Sequence, residues 1–284
     1  MKILITGVNG QVGHALMRDL TDHELIGITR KDCDLTKPDQ IRQVIDQHQP
    51  DLIINPAAYT KVDQAEDEPE LAFQINRDAP KVMAEKAREY HIPLIHFSTD
   101  YVFDGKKVGA YFEDDSINPL GVYGQSKFAG EEAIQEIGGQ YHIFRTSWVY
   151  SKIGQNFYLT MKKLSNERDE LKVVADQFGV PTSNQFIAEQ TKNIIPQLNK
   201  NNTGIFNMVP DGSCSWYEFA KLIISQSNPQ FNINNLQPIE THEFPIKTKR
   251  PANSILSNGK IRRTFNLEFG NWKNCLNQII AEDK

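Results

Sequence analysis

Lys2-Ile-Leu-Ile-Thr-Gly7-Val-Asn-Gly10-Gln-Val-Gly13 opens the chain and decides its fold. A short apolar run ends in three glycines spaced three apart, and the helical stretch His14–Leu20 follows at once. A dinucleotide pyrophosphate needs a tight turn, a place where backbone can approach without a Cβ, and a helix N-terminus with free N–H groups. Gly7, Gly10 and Gly13 can supply these in turn, with Gln11 and Val12 between the last two. An ordinary strand-to-helix loop is the plain alternative, and the position directly after a first strand favours the cradle.

Outward from this loop, apolar runs recur at Glu24–Thr29, Asp51–Asn55, Pro93–Ser98 and His142–Trp148. They are near-continuous, as strands covered on both faces must be. Between them Leu71, Ile75, Val82 and Ala87 mark a helix over Glu70–Tyr90, and Ser126–Ile137 reads as another. The alternation predicts a Rossmann-type doubly wound parallel α/β sheet, with a smaller, interleaved C-terminal substrate domain. Residues 1–150 are expected to form the dinucleotide-binding domain and 151–284 mostly the substrate domain. Strands near 171–175 and 204–208 are expected to rejoin the sheet. Ser215-Trp-Tyr-Glu218 is a capping box before a further helix. Asn228–Gln237 reads as a loop.

Composition narrows the function. The chain has 284 residues, 39% hydrophobic and 24% charged, and a formal charge of −5. Such a chain can bury a core, which removes fibrous and disordered readings. An acidic balance gives no footprint for nucleic acid. Cys33, Cys214 and Cys275 are odd in number and far apart, so neither a disulfide framework nor a zinc ribbon is indicated. The expected place is the cytoplasm, with no export or membrane segment.

The second strand of such a fold usually ends in an acid that binds the ribose hydroxyls. Here it ends Thr29-Arg30-Lys31, where a cation suits the 2′-phosphate of NADP, unless Arg30 and Lys31 are only a solvated turn. In Asp32-Cys-Asp34-Leu35 a carboxylate can accept from the adenine amino group, or Asp34 can cap the helix near Pro38.

Tyr-x-x-x-Lys occurs three times, at Tyr123/Lys127, Tyr158/Lys162 and Tyr217/Lys221. On a helix the spacing holds a phenol beside an ammonium that favours the phenolate. Only Tyr123 follows the end of the fourth strand, where ligands of an open α/β sheet lie. There Thr99 can orient a carbonyl while Tyr123, its pKa lowered by Lys127 and an oxidised nicotinamide, donates a proton. The other two pairs read as packing or surface residues.

These residues resemble the extended short-chain dehydrogenase/reductase superfamily. More narrowly the chain is similar to the dTDP-4-dehydrorhamnose reductase family. That likeness rests on Gly10-Gln-Val-Gly13, Ala57-Ala-Tyr-Thr-Lys-Val-Asp63, Ser98-Thr-Asp-Tyr-Val-Phe103, Tyr123-Gly-Gln-Ser-Lys127 and Arg250-Pro-Ala-Asn-Ser254. The resemblance implies hydride transfer from NADPH, with NADH also accepted, to C4 of dTDP-4-dehydro-6-deoxy-L-mannose, giving dTDP-L-rhamnose for cell-surface polysaccharide. It makes Thr99, Tyr123 and Lys127 catalytic, lines the cofactor with Ala57, Ala58, Tyr59 and Thr60, and sets Asp100, Tyr101 and Trp148 on the sugar nucleotide. Without it, Trp148 reads as core, and Arg250 as either a loop cation or a clamp on a diphosphate.

Two positions depart from the family. Pro56 removes a backbone donor after the third strand. Ala15 replaces a glutamate that helps some members bind Mg²⁺ between subunits, so no metal is expected. A monomer or homodimer is expected. The alternatives are an NADP-binding regulatory subunit, or an epimerase or dehydratase of nucleotide sugars on the same fold.

Overall fold

The computed structural model describes every residue except Ile246 and Lys284. Eight of its strands matter here: β1 (Lys2–Thr6), β2 (Glu24–Ile28), β3 (Leu52–Asn55), β4 (Leu94–Thr99), β5 (Tyr141–Thr146), β6 (Leu171–Val174), β7 (Gly204–Asn207) and β8 (Leu236–Ile239). Six of them form one parallel sheet in the order β2-β1-β3-β4-β5-β7. The chain reverses direction across the sheet between β1 and β3, and the crevice beyond their carboxyl ends is where such sheets bind ligands.

Seven helices position the site: α1 (Gln11–Asp19), α2 (Pro38–His48), α3 (Ala79–Glu89), α4 (Val122–Ile137), α5 (Phe157–Glu167), α6 (Asn184–Ile194) and α7 (Trp216–Ser227). The apolar runs are continuous because alternate residues enter different cores. Ile3, Ile5, Leu52, Ile54, Ile95 and Phe97 pack with Ala15 and Leu16 of α1 and Ile187 of α6. Leu4, Ile53 and Leu94 turn the other way, onto Ile41 and Ile45 of α2 and Val82 and Met83 of α3. Full burial of each such side chain contributes about 1.5–3 kcal/mol. The capping box forms as expected, with Glu218 N–H donating to Ser215 Oγ and Ser215 N–H to Glu218 Oε2.

Three expectations need correction. β6 stands where a strand was expected at 171–175, but it pairs in parallel with β8 rather than rejoining the main sheet. Leu171 and Val173 supply the reason, since they enter a second core with Tyr158, Phe219, Ile223 and Leu236. The stretch 228–237 is therefore not all loop, because it contains a short 3₁₀ turn and the start of β8. The helix expected over 70–90 is interrupted by a π-helical turn at Gln74–Asp78. That turn carries Asn76 into the interior.

Candidate active site

The glycine loop builds a cradle from backbone. Gly7 has φ +59°, and a Cβ there would lie 2.9 Å from the Ala57 Cβ, so the loops after β1 and β3 touch. A Cβ on Gly13 would come within 2.4 Å of the Gly7 carbonyl oxygen. Helix α1 begins with Gly10 as its N-cap, no side-chain capping bond and no acid in its first turn. Its first N–H groups are left to an anion. Gln11 turns its side chain away, accepting from Ser151 Oγ and Asn156 Nδ2, and Val12 packs on the core, so both can offer only backbone to a ligand here.

Beside the cradle lies a cavity of about 460 Å³ lined by Gly7, Arg30, Asp34, Leu35 and the Ala57–Thr60 segment. Asp32 accepts from Thr29 N–H and Oγ1–H, which fixes the turn and leaves Arg30 on the cavity wall. Asp34 does not cap α2, whose N-cap is Lys37. It accepts instead from Thr36 N–H and Oγ1–H, and these bonds hold its carboxyl below the ordinary value. A group with two phosphates and an extra ribose phosphate fits these residues: open N–H donors, glycines that admit no Cβ, and a cation.

Thr99 ends β4, and its hydroxyl donates to Asp100 Oδ1 at 3.0 Å and accepts from Tyr101 N–H. Tyr123, in the first turn of α4, meets the Tyr101 ring edge-on at 5.5 Å between centroids and packs against the cluster holding Tyr59, Leu71 and Ile75. Burial pushes its phenol up to about 12, against a downward pull from the Thr99 hydroxyl. The expected lowering by Lys127 does not govern the phenol here, because Lys127 Nζ donates to the Phe97 carbonyl and sits beside His96 Nε2. Burial pushes Lys127 down to about 8.

A larger cavity of about 820 Å³ opens on the other side of Tyr101 and is walled by Asp63, Phe157, Met161, Trp216 and Arg250. Arg250 donates to Asp63 Oδ2 at 2.8 Å and lies over the Tyr101 ring, while its Nη1 is buried with no partner among the described residues. Asp100 is buried, its carboxyl raised by burial to about 6 against the pull of the Ser254 and Thr99 hydroxyls. Trp148, partly exposed, follows β5. It stacks on Trp216 at 3.5 Å between centroids, with φ +46°, and it is Trp216 that faces the cavity. Gly179 permits the stack, since a Cβ there would meet the Trp148 ring at 2.4 Å.

Sequence reasoning missed Asn76, which accepts from Tyr59 N–H and donates to Tyr59 O and Ser126 Oγ, clasping the loop after β3 to α4. A helix-period pattern hides a π turn. It also missed His96 and Trp216; the first lay within an apolar run and the second inside a capping box read only for its helix.

A doubly wound crevice with a glycine cradle, and a Tyr-Lys pair on the helix that follows β4, is the arrangement of an oxidoreductase of the short-chain dehydrogenase/reductase type. The family profile described as "RmlD substrate binding domain" matches residues 1–284. The chain is 38% identical to dTDP-4-dehydrorhamnose reductase of Burkholderia thailandensis over 294 residues, covering 99% of each. It is 38% identical to the Escherichia coli enzyme of that name, over 99% of this chain and 98% of the other. A crystal structure of dTDP-4-dehydrorhamnose reductase from Bacillus anthracis in complex with NADP superposes with a TM-score of 0.93 at 37% identity, covering 99% of both chains. The chain belongs to the dTDP-4-dehydrorhamnose reductase family.

Proposed function

We propose that the protein reduces the 4-keto group of dTDP-4-dehydro-6-deoxy-L-mannose to give dTDP-L-rhamnose, with NADPH as cofactor, and that Thr99, Tyr123 and Lys127 are its catalytic residues. The observation that carries the site assignment is the position of Tyr123, which touches Tyr101 of the larger cavity and packs with Tyr59 of the smaller. Bound NADPH supplies the hydride. Tyr123 donates its phenolic proton to the sugar carbonyl oxygen as that oxygen becomes a hydroxyl. Thr99 orients the carbonyl, and the Lys127 ammonium favours the phenolate that Tyr123 becomes. The glycine loop with Gln11 and Val12 and the Ala57–Thr60 segment cradle the cofactor, and Arg30 with Asp34 and Leu35 takes its adenosine end.

The larger cavity takes the sugar nucleotide. Its aromatic wall of Phe157 and Trp216, backed by Trp148, suits a base, and the unpartnered Arg250 Nη1 suits a diphosphate. Asp100 and Tyr101, which follow β4 directly after Thr99, are assigned to the sugar. Most of that wall comes from beyond residue 150, which supports reading 151–284 as mainly substrate-binding. Three buried free cysteines suit a reducing cytoplasm. The test is absorbance at 340 nm with purified protein, NADPH and the dTDP-4-keto sugar made in situ. Loss of signal only when the sugar is present is expected; no loss refutes the reading.

A further inference from the structure

His96, Asn55 and Thr6 take no part in the reaction as described, yet they lie in a line beneath it. Thr6 Oγ1 is 2.6 Å from Asn55 Oδ1, Asn55 Nδ2 is 3.0 Å from His96 Nδ1, and His96 Nε2 is 3.1 Å from Lys127 Nζ. Lys127 then donates to the Phe97 carbonyl at 2.7 Å. β1, β3 and β4 each contribute one member and α4 the last, and none is more than 2% exposed. At such depth donors and acceptors must match along the whole line.

The match is directional. An ammonium has donors only, so a charged Lys127 requires His96 Nε2 to accept. The ring proton then sits on Nδ1 and needs an acceptor, which the Asn55 amide offers by a half-turn that brings its oxygen to the ring and its nitrogen to Thr6. A neutral Lys127 is served by the opposite order, with the amide nitrogen at Nδ1 and the ring proton on Nε2, which is how the Asn55 amide lies in the ligand-free structure. The direction of the line and the charge of Lys127 are one variable.

We propose that His96, switched to its accepting tautomer when the Asn55 amide makes that half-turn, is a positioning residue that holds Lys127 as an ammonium behind Tyr123. The proposal rests on the assignment of Lys127 to the reaction. Burial lowers Lys127 while Glu131, one turn along α4, raises it, and Glu131 is itself held by Arg145 of β5. Burial and the Lys127 charge hold His96 well below its ordinary value, so the ring stays neutral and able to accept. Tyr123 on α4 and Asp100 and Tyr101 after β4 are the remaining ionisable groups on the pocket side. On the neighbouring segments Arg77 pairs with Asp78, Lys86 with Asp46 and Glu89, Glu85 with Arg42, and Asp63 with Arg250.

The active ammonium exists below the Lys127 pKa, so removing its acceptor moves the alkaline fall of activity to lower pH. The measurement is kcat/KM for sugar reduction against pH in full-length wild type, His96→Leu, His96→Gln and Lys127→Met, with folding checked by thermal unfolding. For His96→Leu the alkaline limb is expected about one pH unit lower, the scale of one charge-assisted hydrogen bond. His96→Gln, which keeps an acceptor, is expected to return most of the shift. A folded leucine variant with an unmoved limb overturns the role of His96 alone. Activity surviving in Lys127→Met overturns the Lys127 assignment and this proposal with it. Should the leucine variant not fold, ¹⁵N NMR of histidine-labelled wild type decides: a ring protonated on Nδ1 near neutral pH is expected, and one protonated on Nε2 overturns the proposal.

Discussion

Two helices carry the same Tyr-x-x-x-Lys spacing and put it to different ends. On α4, Tyr123 meets Tyr101 of the larger cavity edge-on and Lys127 is turned inward, onto a carbonyl and a neutral ring. On α5, Tyr158 Oη donates to Asp283 at 2.7 Å and Lys162 pairs with the same carboxylate. The second pair ties the end of the chain to a helix and is neutralised in doing so. The spacing guarantees a shared face only. What the face meets separates the two pairs: a shared carboxylate makes a clasp on α5, while on α4 the ammonium meets a carbonyl and a neutral ring, with no direct ion pair among the described residues.

The strongest way to break this comparison is Tyr123→Phe. General acid catalysis contributes about 10²–10⁴-fold, so kcat should fall by that order while NADPH affinity, measured by fluorescence titration, stays within about twofold. More than half the wild-type turnover would remove Tyr123 from the reaction.

Next in size is the cost of the uncompensated burial around it. Asp100 has a folded pKa of about 6, above its unfolded value, so the folded state holds the extra proton between the two. Its stabilising share is complete below about pH 4 and is lost as pH rises through 6. At pH 7 the charged carboxylate costs roughly 2–3 kcal/mol. Asp100→Asn should therefore raise the melting temperature of the ligand-free protein at pH 7, give little gain at pH 4, and impair sugar reduction. An equal gain at both pH values would show that charge is not the cause. Lys127, lowered to about 8, works in the opposite sense, its burden lifting as pH rises from 8 towards 10.

How much of this was legible in the sequence follows from what each residue faces. Lys2–Thr6 and Leu94–Thr99 were readable as strands because both their faces are covered. For the same reason His96 was unreadable as a polar residue with partners, since in a run where everything is buried position says nothing about role. The β6 strand was readable, but three apolar residues around Lys172 carry no information on which partner they pair with. The helix that carries Tyr123 and Lys127 was readable after β4, and their shared face follows from the spacing. Trp148 was readable at its strand end, but its stack on Trp216 brings in a second ring that no strand-end argument reaches.

A third effect concerns the smaller cavity, beside Arg30. Arg30→Ala should narrow the preference for NADPH over NADH by about tenfold at low salt, less at moderate salt, since a charge-assisted bond at a partly open site is screened. Titration of both cofactors measures it, and an unchanged preference would remove Arg30 from the 2′-phosphate.

The smallest effect sharpens the comparison most. Tyr158→Phe deletes a hydroxyl whose one partner is the Asp283 carboxylate, and Lys162 remains to hold that carboxylate. Burial and the Asp283 bond hold the Tyr158 phenol above its ordinary value, so it is a neutral donor throughout the working range. A hydrogen bond to a charged group is worth about 1.5–3 kcal/mol, and the surviving ion pair at this partly solvated terminus should reduce the loss to about 1 kcal/mol. Denaturant unfolding should register that loss, while kcat and KM stay within about twofold of wild type. A tenfold fall in kcat without loss of fold would mean that the spacing alone confers a catalytic role and that surroundings do not separate the two pairs.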